Sequence, residues 1–147
     1  MIYVKKNVRV LPDDTDAFGR LNWLAYVRYC EEGEAGLMEM LGFSVMRFYR
    51  AQRISFPRRA AIFEYFSPVS PDSFIDIETT VKRVGKTSLT LSHAFHKKNS
   101  KEGERHLAAK AEVTFVAFDE RTHQKTELPL QLLETLKRFD AKVHTQI

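Results

Sequence analysis

The chain has a single cysteine, Cys30, in 147 residues, which excludes an internal disulfide framework and fits a reducing, cytoplasmic setting. Long apolar runs are missing too: nothing approaches the roughly 18 consecutive apolar residues that a spanning helix needs. The opening MIYVKKNVRV alternates like a strand and lacks the apolar centre and small-residue cleavage site of a secretory signal. Glycine and proline are sparse, at six and five, and no repeat, linker or low-complexity tract divides the chain. One domain spanning residues 1–147 is therefore expected. The net charge of +4 comes from 23 basic and 19 acidic residues scattered along the sequence. No Lys/Arg run of the kind that marks a nucleic-acid arm is present, so neither nucleic acid nor a membrane is the expected partner. The histidines at 93, 96, 106, 123 and 144 show no metal-ligand spacing, and no metal or other cofactor is expected.

What the chain does have is aromatic bulk, with eleven Phe and five Tyr, and clear periodicity. Ile2, Val4, Val8 and Val10 alternate as a strand with a slip near Asn7. From about Asn22 to Leu41 the period becomes helical, with Trp23, Tyr26, Val27, Cys30, Leu37 and Leu41 on one face and Gly42 as the stop. Gly33 and Gly36 inside that helix cost about 1 kcal/mol each against alanine, which predicts close contact with a sheet over that surface. The stretch FSVMRFYRAQRISF has no clear period and is expected to be irregular or a short helix. Strands are predicted over residues 58–66, 73–84, 87–98 and 105–120, with Gly85-Lys86 as a type II′ hairpin turn. The proline-led PLQLLETLKRFD (129–140) reads as a short terminal helix. The class is α+β. With one long helix to cover five mostly antiparallel strands, the economical packing wraps the sheet around the helix, the pattern of a hot-dog fold.

Three segments carry a family resemblance. DTDAFGRLNWLAYVRYCEE (14–32) resembles the D-T-D-x-x-G-x-x-N-x-x-x-Y-x-R-Y-x-E signature of hot-dog acyl-CoA thioesterases of the 4-hydroxybenzoyl-CoA thioesterase type. VKRVGKTSLTL (81–91) resembles that family's hairpin, and AKAEVTFVAFDERTHQKTELP (109–129) resembles its last strand and proline-led helix. The chain departs from the family at Arg20, at Trp23, and at Glu34, where relatives often carry arginine.

The resemblance implies hydrolysis of an acyl-CoA, aromatic or medium to long in its acyl chain, to free acid and CoA. The alternative substrate is an acyl group on acyl carrier protein. A non-catalytic acyl-CoA-binding domain is the further alternative, and a hot-dog dehydratase is disfavoured because the residue five after Asp16 is Leu21, not histidine. By resemblance Asp16 is the general base or nucleophile, and a backbone N–H near Trp23 is the oxyanion donor. A helix N-terminus offers unpaired N–H groups and the positive dipole end to a developing oxyanion. Gly19, Asn22, Tyr26 and Arg59 are counted among the substrate-binding residues, Gly19 for a positive-φ turn and Asn22 mainly as the helix cap. Tyr26 is read first as packing. Arg83, Lys86, Thr87 and Ser88 at the hairpin are candidates for the CoA phosphates. Asp14 is expected to brace the loop, and Cys30 to be an inert core thiol. A homodimer or homotetramer with active sites at the subunit junction completes the expectation.

Overall fold

In a computed structural model, which describes residues 1–139, the strand expectations translate into one antiparallel five-stranded sheet. Its strands are β1 (Ile2–Arg9), β3 (Arg58–Tyr65), β4 (Phe74–Val84), β5 (Ser88–Lys98) and β6 (His106–Val116), in the order β1-β4-β5-β6-β3. The long helix α1 (Trp23–Leu41) lies over β1 and β4 and touches β5. Among the described residues no helix is long and apolar enough to cross a membrane.

Local chemistry explains the element ends. The slip near Asn7 is a bulge: the β1–β4 register shifts between Lys5 and Val8, and Asn7 takes φ 62°. The Asn7 N–H donates to Asp76 Oδ1 at 2.9 Å, so the extra residue leaves no orphan donor. Asn22 caps α1, its side chain accepting the Leu24 N–H at 2.9 Å, and Gly42 ends it in the left-handed region at φ 71°. The two helix glycines do what their cost implied. A Cβ at Gly33 would run into the Thr79 and His93 side chains, and one at Gly36 into the Tyr3 ring.

Other parts differ from expectation. The aromatic-basic stretch contains a defined helix, α2 (Val45–Gln52), capped by the Ser44 side chain and closed by Arg53 in the left-handed region. The strand expected over 105–120 breaks at Ala117. It continues as β7 (Phe118–Asp119) in a separate small sheet with β2 (Ile54–Ser55) and β8 (Gln124–Lys125). The Gly85 turn is not type II′, because Gly85 is not at positive φ. Its N–H donates to the Ser88 carbonyl at 2.8 Å, and the Lys86 and Thr87 carbonyls accept from Leu128 and Ala117 at 2.9 Å each. Those tertiary bonds set the turn, and glycine is needed there for closeness to the Ser88 hydroxyl. The terminal helix α3 (Leu130–Phe139) buries Leu132 and Leu136; the predicted end at Asp140, and His144, lie outside the described residues.

The core has two lobes. One gathers Val10, Tyr26, Tyr29, Cys30, Ile75, Ile77 and Phe95 around the first half of α1. The other joins Leu37 and Leu41 to Leu89, Leu91 and the α3 leucines. Gly33 sits between them, where α1 comes nearest the sheet. Gly33→Ala is therefore expected to destabilise by roughly 1–3 kcal/mol through overpacking, despite the better helix propensity of alanine. Gly36→Ala meets only the ring of Tyr3 on an edge strand and should cost less. Urea denaturation midpoints of the two variants check the order; equal midpoints would contradict it.

Candidate active site

Between β1 and α1 the chain makes a compact loop closed by an antiparallel bridge of Thr15 with Leu21. The Asp16 N–H donates to the Arg20 carbonyl at 2.7 Å, and the Gly19 N–H to the Asp16 carbonyl at 3.1 Å. Gly19 is at φ 73° with open space where a Cβ would go, so backbone conformation and not crowding asks for glycine. The Asp16 side chain folds onto its own loop: Oδ1 accepts the N–H groups of Phe18 at 2.8 Å and Arg20 at 3.1 Å. That arrangement fixes the carboxyl group and leaves Oδ2 without a protein donor among the described residues.

Asp14 holds the loop from below. Its Oδ2 accepts the Leu11 N–H at 3.2 Å, its carbonyl accepts the Asn22 N–H at 2.7 Å, and its Oδ1 is paired with Arg28. The Leu21 N–H donates to the Val69 carbonyl at 2.8 Å, tying the loop to the segment after β3. At the start of α1, Leu24 N–H is taken by the cap and Ala25 N–H by the Asn22 carbonyl at 2.9 Å. The Trp23 N–H has no protein acceptor among the described residues.

Asp16, Arg20, Trp23, Tyr26, Tyr65 and Phe66 line one cavity of about 330 Å³. Tyr26 is both wall and core: it contacts the rings of Tyr29, Tyr65 and Phe95, and burial, followed by Tyr65, pushes its hydroxyl up to about 12. Burial likewise pushes the Cys30 thiol up to about 12, which leaves it protonated and unreactive at neutral pH.

The remaining expected residues are elsewhere. Arg83, Lys86, Thr87 and Ser88 surround the β4–β5 turn, at the far end of the sheet from the Asp16 loop. Strand β5 runs from Ser88 to Lys98, and at ~3.3 Å per residue that separates the two groups by on the order of 30 Å. Arg59, expected near substrate, is not among the residues around the Asp16 cavity or the cavity that Arg58 lines. The reason is a bulge: the β3–β6 register shifts between Arg58 and Ala60, so Arg59 is the extra residue and Arg58 turns to the helix-facing side opposite Phe115.

Arg58 belongs to a second cavity; of Phe43, Phe48, Tyr49 and Phe56, which the sequence offers as acyl-pocket aromatics with core packing as the default, Phe43 and Phe56 line it. It measures about 440 Å³ and lies between the second half of α1, α2 and the inner face of β5 and β6. Met38, Phe43, Met46, Phe56 and Phe115 are among its walls, with Arg58 and Glu34 on one side. The guanidinium sits 5.2 Å from the Phe115 ring centre, and its Nη2 donates to Glu34 Oε1 at 2.5 Å. Behind Glu34, in the space Gly33 leaves, lies His93, fully buried. Its Nδ1 is 2.8 Å from Thr79 Oγ1. Its Nε2 faces Glu34 Oε2 at 3.9 Å, and neither of those atoms has a hydrogen-bond partner. Burial, with help from Arg58, drives the His93 pKa down to about 4, so the ring is neutral. Burial pushes the Glu34 pKa upward against the pull of Arg58. The sequence signals were the helix glycine at 33, the departure at Glu34 and the arginine pair opening β3.

A family model described as the thioesterase-like superfamily matches residues 10–136. The chain is 28% identical over 131 residues to acyl-CoA thioester hydrolase YbgC of Escherichia coli, with 89% of this chain and 93% of that one covered. It is 23% identical over 124 residues to 1,4-dihydroxy-2-naphthoyl-CoA hydrolase of Crocosphaera subtropica, covering 84% and 88%. In three dimensions it is similar to 4-hydroxybenzoyl-CoA thioesterase from Pseudomonas sp. strain CBS-3, with TM-score 0.78, 19% identity and coverage of 92% and 97%. The hot-dog architecture and a family match running almost end to end agree, and the chain belongs to the thioesterase-like superfamily.

Proposed function

We propose that the protein hydrolyses acyl-CoA thioesters at the cavity shared by Asp16 and the first turn of α1. The observation that carries this reading is the pairing, in one cavity, of a carboxylate held by its own loop and the unclaimed Trp23 N–H. With the thioester carbonyl oxygen at the helix end, the N–H and the helix dipole stabilise the oxyanion of the tetrahedral intermediate. Asp16 Oδ2 acts on the carbonyl carbon in one of two ways. As a base it takes a proton from water, the hydroxide adds, the C–S bond breaks, and the proton passes to the departing CoA sulfur. As a nucleophile it forms a mixed anhydride with loss of CoA thiolate, and water then cleaves the anhydride. Similarity to acyl-CoA hydrolases in sequence supports the CoA ester over the carrier-protein ester. Nothing in the second class of partner explains the fit better.

The site is completed by a second copy of the chain. Strand β3 is a sheet edge, and its middle, Ala60-Ala61-Ile62-Phe63, carries no charge. The opposite edge, β1, is guarded by Lys5, Lys6 and the Asn7 bulge, the devices that block edge pairing. Trp23 and Leu24 at the start of α1 are 64% and 57% exposed, and Ile62, on the face of β3 turned away from the helix, is 61% exposed, apolar side chains that a partner pairing along this edge would cover. Antiparallel pairing of β3 with its copy about Ile62 sets the partner's Arg58 opposite Phe66 at the Asp16 cavity. The partner's β4–β5 turn, with its Arg83, Lys86, Thr87 and Ser88, then approaches the same end and supplies cations to the CoA phosphates.

Asp16→Asn keeps the acceptor for the Phe18 and Arg20 N–H groups and removes the base, so kcat on a good acyl-CoA should fall by on the order of 10²–10⁴ with the fold intact. CoA release measured with a thiol reagent checks it, and near wild-type turnover would sink the mechanism. Ile62→Lys places a charge at the centre of the paired edge. Sedimentation should show wild-type dimers or larger assemblies and a monomeric variant with turnover largely lost; a fully active monomer would contradict the shared site.

A further inference from the structure

We propose that Arg58, held by its hydrogen bond to Glu34, determines acyl specificity by recognising a hydroxyl or keto oxygen at the far end of the acyl group. The proposal rests on the hydrolase reading above, which sets the partner's Arg58 at the Asp16 cavity, and it adds that the partner's second cavity receives the acyl group.

The second cavity is apolar over most of its wall, and its polar groups are few. Ser44 is occupied as the α2 cap, its Oγ accepting the Arg47 N–H at 3.2 Å, and Glu31 is exposed at the rim. What remains is the Arg58–Glu34 pair. Arg58 has five N–H donors, of which one is used on Glu34, and its side chain is 51% exposed. It is therefore a donor array set into an apolar wall, the arrangement that orients a ligand with one polar group.

A purely structural ion pair explains this less well. Burying the Glu34 carboxyl is costly, and apolar residues of the same volume would serve stability as well or better. Instead the pair is backed by a second layer. His93, neutral, is bonded to Thr79 through Nδ1 and leaves Nε2 3.9 Å from Glu34 Oε2, both of those atoms unpartnered, and α1 gives up a side chain at Gly33 to make room. The Glu34 carboxylate itself holds the guanidinium beside Phe115 through Oε1. Glu34 already balances the charge of Arg58, so a second carboxylate is not the matching group. A hydroxyl is, since it can accept from Arg58 while donating to Glu34 Oε1.

The test uses matched pairs of CoA thioesters differing by one distal hydroxyl: octanoyl against 8-hydroxyoctanoyl, and benzoyl against 4-hydroxybenzoyl. Binding is measured by calorimetry to the dimeric Asp16→Asn protein, and kcat/KM on the catalytically intact chain. At least one pair should favour the hydroxylated member by about 10- to 100-fold, the range of a hydrogen bond to a charged group. Arg58→Met and the isosteric Glu34→Gln should bring that ratio to within about three-fold by weakening the hydroxylated ligand more than the plain one. No discrimination in either pair, or a ratio that both variants leave intact in folded dimers, overturns the proposal. Failure of the wild-type chain to turn over any of the four esters, with the binding ratio and its dependence on Arg58 preserved, removes the hydrolase reading and upholds the recognition role.

Discussion

The seating of α1 on the sheet at Gly33 is the constraint on which the rest of the structure depends. A glycine in mid-helix sacrifices about 1 kcal/mol of local stability, and here it lets the helix backbone settle onto Thr79 and His93. That depth sets three things at once. It separates the core into two lobes, it leaves room for a buried polar layer beneath Glu34, and it fixes the level at which the helix N-terminus emerges beside the Asp16 loop. The cap at Asn22 and the Asp14 bonds then align that terminus with the loop, and Trp23 is left with a free N–H pointing out of the first turn.

The candidate site is thereby spread along α1. Its reacting groups stand at the N-terminal turn against the end of β3, while the larger cavity opens one to three turns further on, against the start of β3. In one subunit these are two half-sites facing opposite ends of the same strand. In the proposed dimer, antiparallel pairing of β3 about its middle would set each Asp16 cavity against the partner's second cavity, and an isologous contact of that kind would make two equivalent complete pockets from two incomplete ones.

Much of this was legible in the residues. Period-two alternation marked β1, β4 and β5, β3 and β6 were read as strand-like runs, and Asn22 and Gly42 marked both ends of α1, because those signals are local. Gly33 and Gly36 even announced the close contact they make. Asp16 was legible through its motif, not its spacing. The small sheet was not, because strands of two residues such as Ile54–Ser55 have no period to read. The Gly85 turn was misread since carbonyl bonds to Leu128 and Ala117, far along the chain, set its shape. The second cavity collects residues from 31 to 132, and the choice of Arg58 over Arg59 hinges on one bulge, which no sequence pattern displays.

Where this chain breaks the local rules of folding, it breaks them along one surface. Glycines interrupt a helix that would be stabler without them, and Glu34 and His93 are buried with unmatched atoms. Trp23 and Phe18 lie bare to solvent, the latter 84% exposed beside Asp16. Scattered through the molecule, such departures would each need a separate excuse. They instead follow α1: the glycines face β1, β4 and β5, Glu34 turns to Arg58 at the start of β3, and Trp23 and Phe18 stand at its N-terminal end, while the opposite face of the sheet keeps its charges paired, as in Asp76 with Lys98 at 2.9 Å. The unmatched polar atoms and the bare aromatics lower stability, and Gly33 costs helix propensity while sparing the fold an overpacked contact. A ligand and a second subunit would cover Trp23, Phe18 and the exposed part of Arg58, the departures that face solvent.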